Sequence, residues 1–109
     1  MICHGDLHPF NVLADPDGLT LLDWTGALLA DPCFDIALTE LLLANPPLPL
    51  PAPLAPVVRA AGRVLARRFV TAYQRANPTA SLAALGWFRA LHSARVLIED
   101  TRLRAEHGP

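Results

Sequence analysis

A mainly helical α+β fold carrying one small β-hairpin is what this sequence predicts, as a single domain of 109 residues. Three observations point there. Two short apolar runs flank Asp15-Pro16-Asp17-Gly18, which carries turn chemistry at each position. Asp31-Pro32 opens an apolar run reaching Ala44, with an N-cap acceptor followed by the residue best tolerated at a first helical position. Beyond a proline-rich stretch, apolar residues recur at helical spacing over two further segments. A chain of this length buries roughly 65% of the surface its unfolded form exposes, enough for one core.

In chain order, Ile2 and Cys3 read as the end of a short buried strand, and His4 to Phe10 as a polar loop in which Pro9 discourages regular structure. The hairpin pairs Val12–Ala14 with Leu19–Leu22. If Ala14 faces Leu19, then Val12 faces Leu21 and Asn11 faces Leu22, so Asn11 and Asp23 meet at the open end. Phe34, Ile36, Ala37, Leu38, Leu41, Leu42 and Leu43 leave the next helix little polar surface, which predicts burial on most sides. Asn45-Pro46-Pro47 stops it. Six prolines between Pro46 and Pro56 alternate with leucine and alanine, the composition of a stiff extended connector. Val57 to Ala76 reads as a helix with Val58, Ala61, Leu65, Phe69, Ala72 and Tyr73 on an apolar stripe and Arg59, Arg63 and Arg67 on a solvated face. Asn77-Pro78 breaks that pattern. A last helical region from about Ser81 to Ala105 offers Leu82, Leu85, Phe88, Leu91 and Leu97 to the core. The chain therefore divides into residues 1–44, a connector at 45–56 and helices at 57–109.

Composition excludes several functions. Apolar residues make up 52%, charged ones 17%, and the net charge is -1, so neither a disordered tail nor a nucleic-acid partner is indicated. All nine basic side chains are arginine. Two cysteines make no disulfide scaffold, no signal peptide opens the chain, and a reducing cytoplasm is the expected location. Ile36 to Ala44, the most apolar run, is interrupted by Thr39 and Glu40 and is too short to span a bilayer, so no membrane partner is expected.

Chemistry crowds into CHGDLHPFNVL, residues Cys3 to Leu13. His4, Asp6 and Asn11 have the spacing H-x-D-x-x-x-x-N of a phosphotransferase catalytic loop. There an aspartate accepts or orients the proton of a substrate hydroxyl, and the asparagine offers an amide oxygen to magnesium. Asp23, delivered beside Asn11 by the hairpin, would be the second ligand, and hard oxygen donors with nucleotide phosphates suit magnesium. A structural reading stands beside each assignment. Asp6 could bond loop amides and Asp23 cap a strand end, but both occurring in register with Asn11 favours function. Asp35 is equally a helix-terminus charge. His8 either points toward phosphates or satisfies the loop. His92 and His107 read as ordinary helix or surface residues, Trp24 and Trp87 as core, and Cys3 as a buried strand thiol. H-x-D-x-H at His4, Asp6 and His8 also suggests a metal-dependent phosphoesterase, which would need further ligands than the chain supplies.

HGDLHPFN, LLDW and DPCFDIA, in that order, resemble the aminoglycoside phosphotransferase and choline kinase-like family, small-molecule relatives of the protein kinases. The resemblance implies a partial C-terminal lobe of a protein-kinase-like fold. It makes Asp6 the catalytic aspartate, Asn11 and Asp23 magnesium ligands at an ATP site, and Asp35 and His4 structural supports of the loop. The partner is then a small molecule bearing a hydroxyl. Phe10 and Ala30 stand where many relatives carry glycine, and Thr25 follows Asp23-Trp24 where protein kinases have glycine. The chain holds no lysine, no G-x-G-x-x-G and no G-x-x-x-x-G-K-[ST]. The expectation is therefore the C-terminal part of a larger enzyme whose ATP-gripping N-terminal lobe is absent, inactive alone, with a non-catalytic remnant as the alternative.

Overall fold

The computed structural model describes residues 1–46 and 49–107. It is mostly helical with two small antiparallel sheets, an α+β arrangement. β1 (Ile2–Cys3) leads through a 3-10 turn at Pro9–Asn11 into β2 (Val12–Asp15) and β3 (Gly18–Leu21), and β4 (Leu28–Leu29) precedes the helices α1 (Cys33–Ala44), α2 (Ala55–Ala76) and α3 (Leu85–His107). No described helix is long and apolar enough to cross a membrane. Within 45–56, Pro47 and Leu48 lie outside the described residues.

The hairpin register is the one its turn chemistry predicts, with Val12 opposite Leu21 and Ala14 opposite Leu19. Asp15 Oδ1 accepts the Asp17 amide at 2.8 Å, and Gly18 supplies the φ of 139° that closes the turn. The Leu22 amide donates to the Asn11 carbonyl at 2.8 Å, carrying the pairing one residue further. The second sheet was not legible in the sequence: β1 pairs with β4, Ile2 opposite Leu29 and Cys3 opposite Leu28. Here Cys3 is buried but Ile2 is 66% exposed, because neighbouring strand residues face opposite ways and only one face meets the core.

Asp31 Oδ1 accepts the Cys33 amide at 2.8 Å and starts α1, from which no residue is fully exposed. This helix is the centre of the molecule and packs on both α2 and α3. Cys33, Ile36, Ala37 and Leu85 form the core, flanked by Phe69, Val70, Tyr73, Leu82 and Phe88. α1 and α2 end by one device. Asn45 and Asn77 each donate both backbone and side-chain N–H groups to the carbonyl four residues back, Leu41 and Tyr73, at 2.9–3.2 Å, with proline next to end the helix.

Five sequence expectations are corrected. α2 begins at Ala55 rather than Val57, so Ala55 and Pro56 belong to the helix and not to the connector, proline being tolerated in a first helical turn. The buried face of α2 runs through Gly62 and Ala66, while Ala61, Leu65 and Ala72 are exposed. α3 begins at Leu85 rather than Ser81, whose hydroxyl instead accepts the Ala83 amide at 3.3 Å in the preceding loop. Leu97 is 68% exposed, because every residue of α3 beyond His92 projects away from the core. His92 itself is buried, and Trp24 and Trp87 are not.

Candidate functional site

The loop His4–Asn11 is fastened to α1 at three points. Asp35, in the first turn of α1, accepts the His4 amide on Oδ2 at 2.6 Å and the Gly5 amide on Oδ1 at 2.9 Å. Two charge-assisted bonds to one carboxylate at a helix N-terminus make a firm joint. Thr39, one turn further, donates its hydroxyl to the Leu7 carbonyl at 2.8 Å. Sequence reasoning missed Thr39, and its signal was a hydroxyl interrupting an otherwise apolar run.

Gly5 is where the loop doubles back. Its φ of 85° lies in the left-handed region, and a Cβ there would stand 2.2 Å from the Gly26 carbonyl oxygen. The two backbones touch, which locks the loop to the segment after β3.

His4 is buried and serves as a bridge. Its Nδ1 accepts the Asp6 amide at 3.2 Å, so the proton sits on Nε2, which donates to the Leu22 carbonyl at 2.7 Å. The imidazole thus ties the loop bearing Asp6 to the strand end bearing Asp23. Trp24 leans over it with ring centroids 4.7 Å apart, while its own Nε1 donates to the Leu21 carbonyl at 3.1 Å.

Asp6, His8 and Asn11 are drawn together. Asn11 Nδ2 donates to the Asp6 carbonyl at 2.8 Å and to Asp6 Oδ2 at 3.3 Å, and His8 Nε2 lies 3.6 Å from that same oxygen. The Asn11 amide nitrogen is thereby committed to Asp6, which leaves its oxygen as the free end. His8 Nδ1 accepts the Phe10 amide at 3.2 Å and caps the turn. Asp6 keeps about half its side chain in solvent, so its carboxylate is open to a ligand.

Asp23, one residue past Leu22, makes no hydrogen bond to Asp6, His8 or Asn11 among the described residues. Its φ of 55° makes it the one non-glycine described residue in the left-handed region, a conformation aspartate tolerates better than most. Thr25 donates its hydroxyl to Oδ1 at 2.6 Å and its amide to the same oxygen at 3.4 Å. These bonds, the hydroxyl first, hold the Asp23 carboxyl below the usual carboxylate range.

Asp23 and Asn11 offer an ionised carboxylate and an amide oxygen, hard donors of the kind magnesium takes. Among the described residues no group of three or more His, Cys, Asp or Glu could hold a metal by itself, so a metal here would draw its remaining oxygens from a ligand or water. The cysteines take no part. Both are buried free thiols, and burial pushes Cys33 up to about 11 and raises Cys3, so neither is a thiolate at neutral pH.

A family model described as "Phosphotransferase enzyme family" matches residues 1–78. The uncharacterized protein YcbJ of Bacillus subtilis (strain 168) is 46% identical over 46 residues, a match covering 40% of this chain and 15% of that protein. The chain thus spans a small part of that relative's length. No solved structure matches the chain significantly. With its loop, hairpin, α1 and α2 all inside the matched region, the chain belongs to the phosphotransferase enzyme family.

Proposed function

We propose that these residues form part of the C-terminal lobe of a kinase-like, ATP-dependent phosphotransferase that moves the γ-phosphate to a hydroxyl of a small molecule in the cytoplasm. The observation that carries the reading is the double bond of Asp35 to the His4 and Gly5 amides, joined by His4 to the Leu22 carbonyl. Those three bonds set Asp6 and the Asp23 strand end on one rigid frame, and positioning is most of what phosphoryl transfer asks of a protein.

In this reading Asp6 accepts or orients the proton of the acceptor hydroxyl, and Asn11 keeps the Asp6 carboxylate turned outward. His8 stands beside the same oxygen and reaches toward phosphate. Asn11 and Asp23 would hold magnesium, which neutralises phosphate charge when bound. The chain contains no lysine and no glycine-rich phosphate loop, so the grip on the triphosphate is supplied from outside these 109 residues, by an N-terminal lobe.

The test uses the full-length enzyme that carries this segment. Asp6→Asn is expected to lower kcat by about 100-fold or more with KM changed little, since the carboxylate matters most as the hydroxyl reacts. The 109-residue chain alone is expected to turn over no ATP against a panel of amino sugars and amino alcohols. An unchanged kcat in Asp6→Asn would remove Asp6 from catalysis, and turnover by the chain alone would overturn the two-lobe reading.

A further inference from the structure

Charge is segregated along this chain. Residues 1–44 carry seven acids and no Lys or Arg, whereas residues 45–109 carry nine arginines and three acids. The segregation is sharpest in α2, which holds Arg59, Arg63, Arg67, Arg68 and Arg75 and no acidic residue. A helix with so many like charges repels itself unless something anionic meets it.

We propose that the cleft between α1, α2 and α3 binds a compact phosphate-bearing small molecule with two or more negative charges. The cleft has a volume of about 350 Å³ and is lined by Glu40, Asn45, Arg63, Arg67, Arg89 and Ser93 among others. That volume lies within the range of small-ligand sites. The cleft shares no residue with the loop site.

The charge of Glu40 is already spent. Arg89 Nε and Nη2 donate to its two carboxylate oxygens at 3.1 and 2.9 Å, a bidentate pair that bridges α1 and α3 across the cleft wall. Arg63 and Arg67 sit one turn apart on α2, are exposed, and belong to no ion pair among the described residues. They leave the cleft with a surplus of two positive charges. Guanidinium forks match phosphate oxygens bidentately, and Ser93 adds a hydroxyl at the rim. A depression of this small size favours a compact anion over a polymer, which would instead lie along the open row Arg59, Arg63, Arg67.

The experiment is calorimetric titration of the chain with pyrophosphate in metal-free buffer, where the loop site has no magnesium to recruit it. Saturable one-site binding is expected, weakened at least about tenfold in the Arg63→Ala, Arg67→Ala double variant and also weakened by added salt. It should persist in Asp23→Asn, which separates this cleft from the proposed metal site. Both arginines are exposed, so the double variant should fold. If it does not, Arg63→Lys with Arg67→Lys keeps the charge and should bind more weakly than the parent chain. Equal affinity in the variant that folds, or no saturable binding up to about 10 mM, would overturn the proposal. Arginine-dependent binding of an acidic peptide or duplex DNA without binding of pyrophosphate would overturn it too.

Discussion

Thr25 governs the ionisation of Asp23. Its hydroxyl bond stabilises the charged carboxylate only, so Thr25→Val should move the Asp23 titration up toward the ordinary value of about 3.9. A side-chain carboxyl NMR titration reads this directly, and an unmoved midpoint would show that the bond is absent in solution. Because the shift is downward, Asp23 stays ionised through neutral pH and contributes nothing to pH dependence there. His92 behaves in the opposite setting. Burial disfavours its imidazolium and lowers its pKa; the bond from Nε2 to the Phe34 carbonyl at 2.9 Å opposes this, while Arg95 at 3.3 Å adds to it and Asp35 acts against. The unfolded chain takes up a proton near pH 6.5 while folded His92 stays neutral, so the unfolded state binds more protons below that point. The contribution of His92 to stability is then full above about pH 6.5 and declines as pH falls toward the folded value. Thermal unfolding between about pH 7.5 and 5.5 should show this slope, and His92→Gln should flatten it.

At the scale of elements, Gly62 decides how closely α1 and α2 approach. A Cβ there would lie 2.0 Å from the Leu43 carbonyl oxygen, a backbone atom that no rotamer change can move. Alanine gains up to about 1 kcal/mol of helix propensity over glycine, but overpacking against backbone costs about 1–3 kcal/mol or more. The clash wins, so Gly62→Ala should lower the urea midpoint at unchanged m-value. A raised midpoint would mean the helices part freely. The same contact explains why the apolar stripe of α2 was misread: the helix turns Gly62 and Ala66 inward to let backbones meet, and leaves Leu65, 52% exposed, on the rim of an apolar groove with Pro9 and Phe10. Hydrophobicity ranks leucine above glycine; closest approach ranks them the other way.

The whole molecule exposes more surface than its mass requires. Its accessible area is 7865 Å², against about 5,900 Å² for a compact monomer of this mass, and its radius of gyration is 15.3 Å, against about 13 Å for such a length. Part of the excess is the outer half of α3, where Val96, Leu97 and Ile98 are at least half exposed, and part is Ile2 and Leu29 on the β1–β4 sheet with Met1 preceding it. Apolar surface on this scale predicts marginal stability or association. Sedimentation velocity between about 5 and 200 µM should show a rising sedimentation coefficient, with the melting temperature rising in step. A concentration-independent monomer of high melting temperature would contradict this.

What the sequence determined by itself was local: the hairpin and its register, the start of α1, the stops of α1 and α2, and the residues of the loop. Turn chemistry, caps and Asn-Pro breaks act over a few residues, so their physics is written in adjacent letters. Only the tertiary structure decided that β4 covers β1, that Thr39 reaches Leu7, that His92 is buried under Phe34, and that the free arginines of α2 share a cleft with the Glu40–Arg89 pair. Each of those joins residues more than 20 positions apart. Those between helices depend on how close the helices come, and between α1 and α2 that distance is set by small residues such as Gly62, which hydrophobic patterning does not weigh.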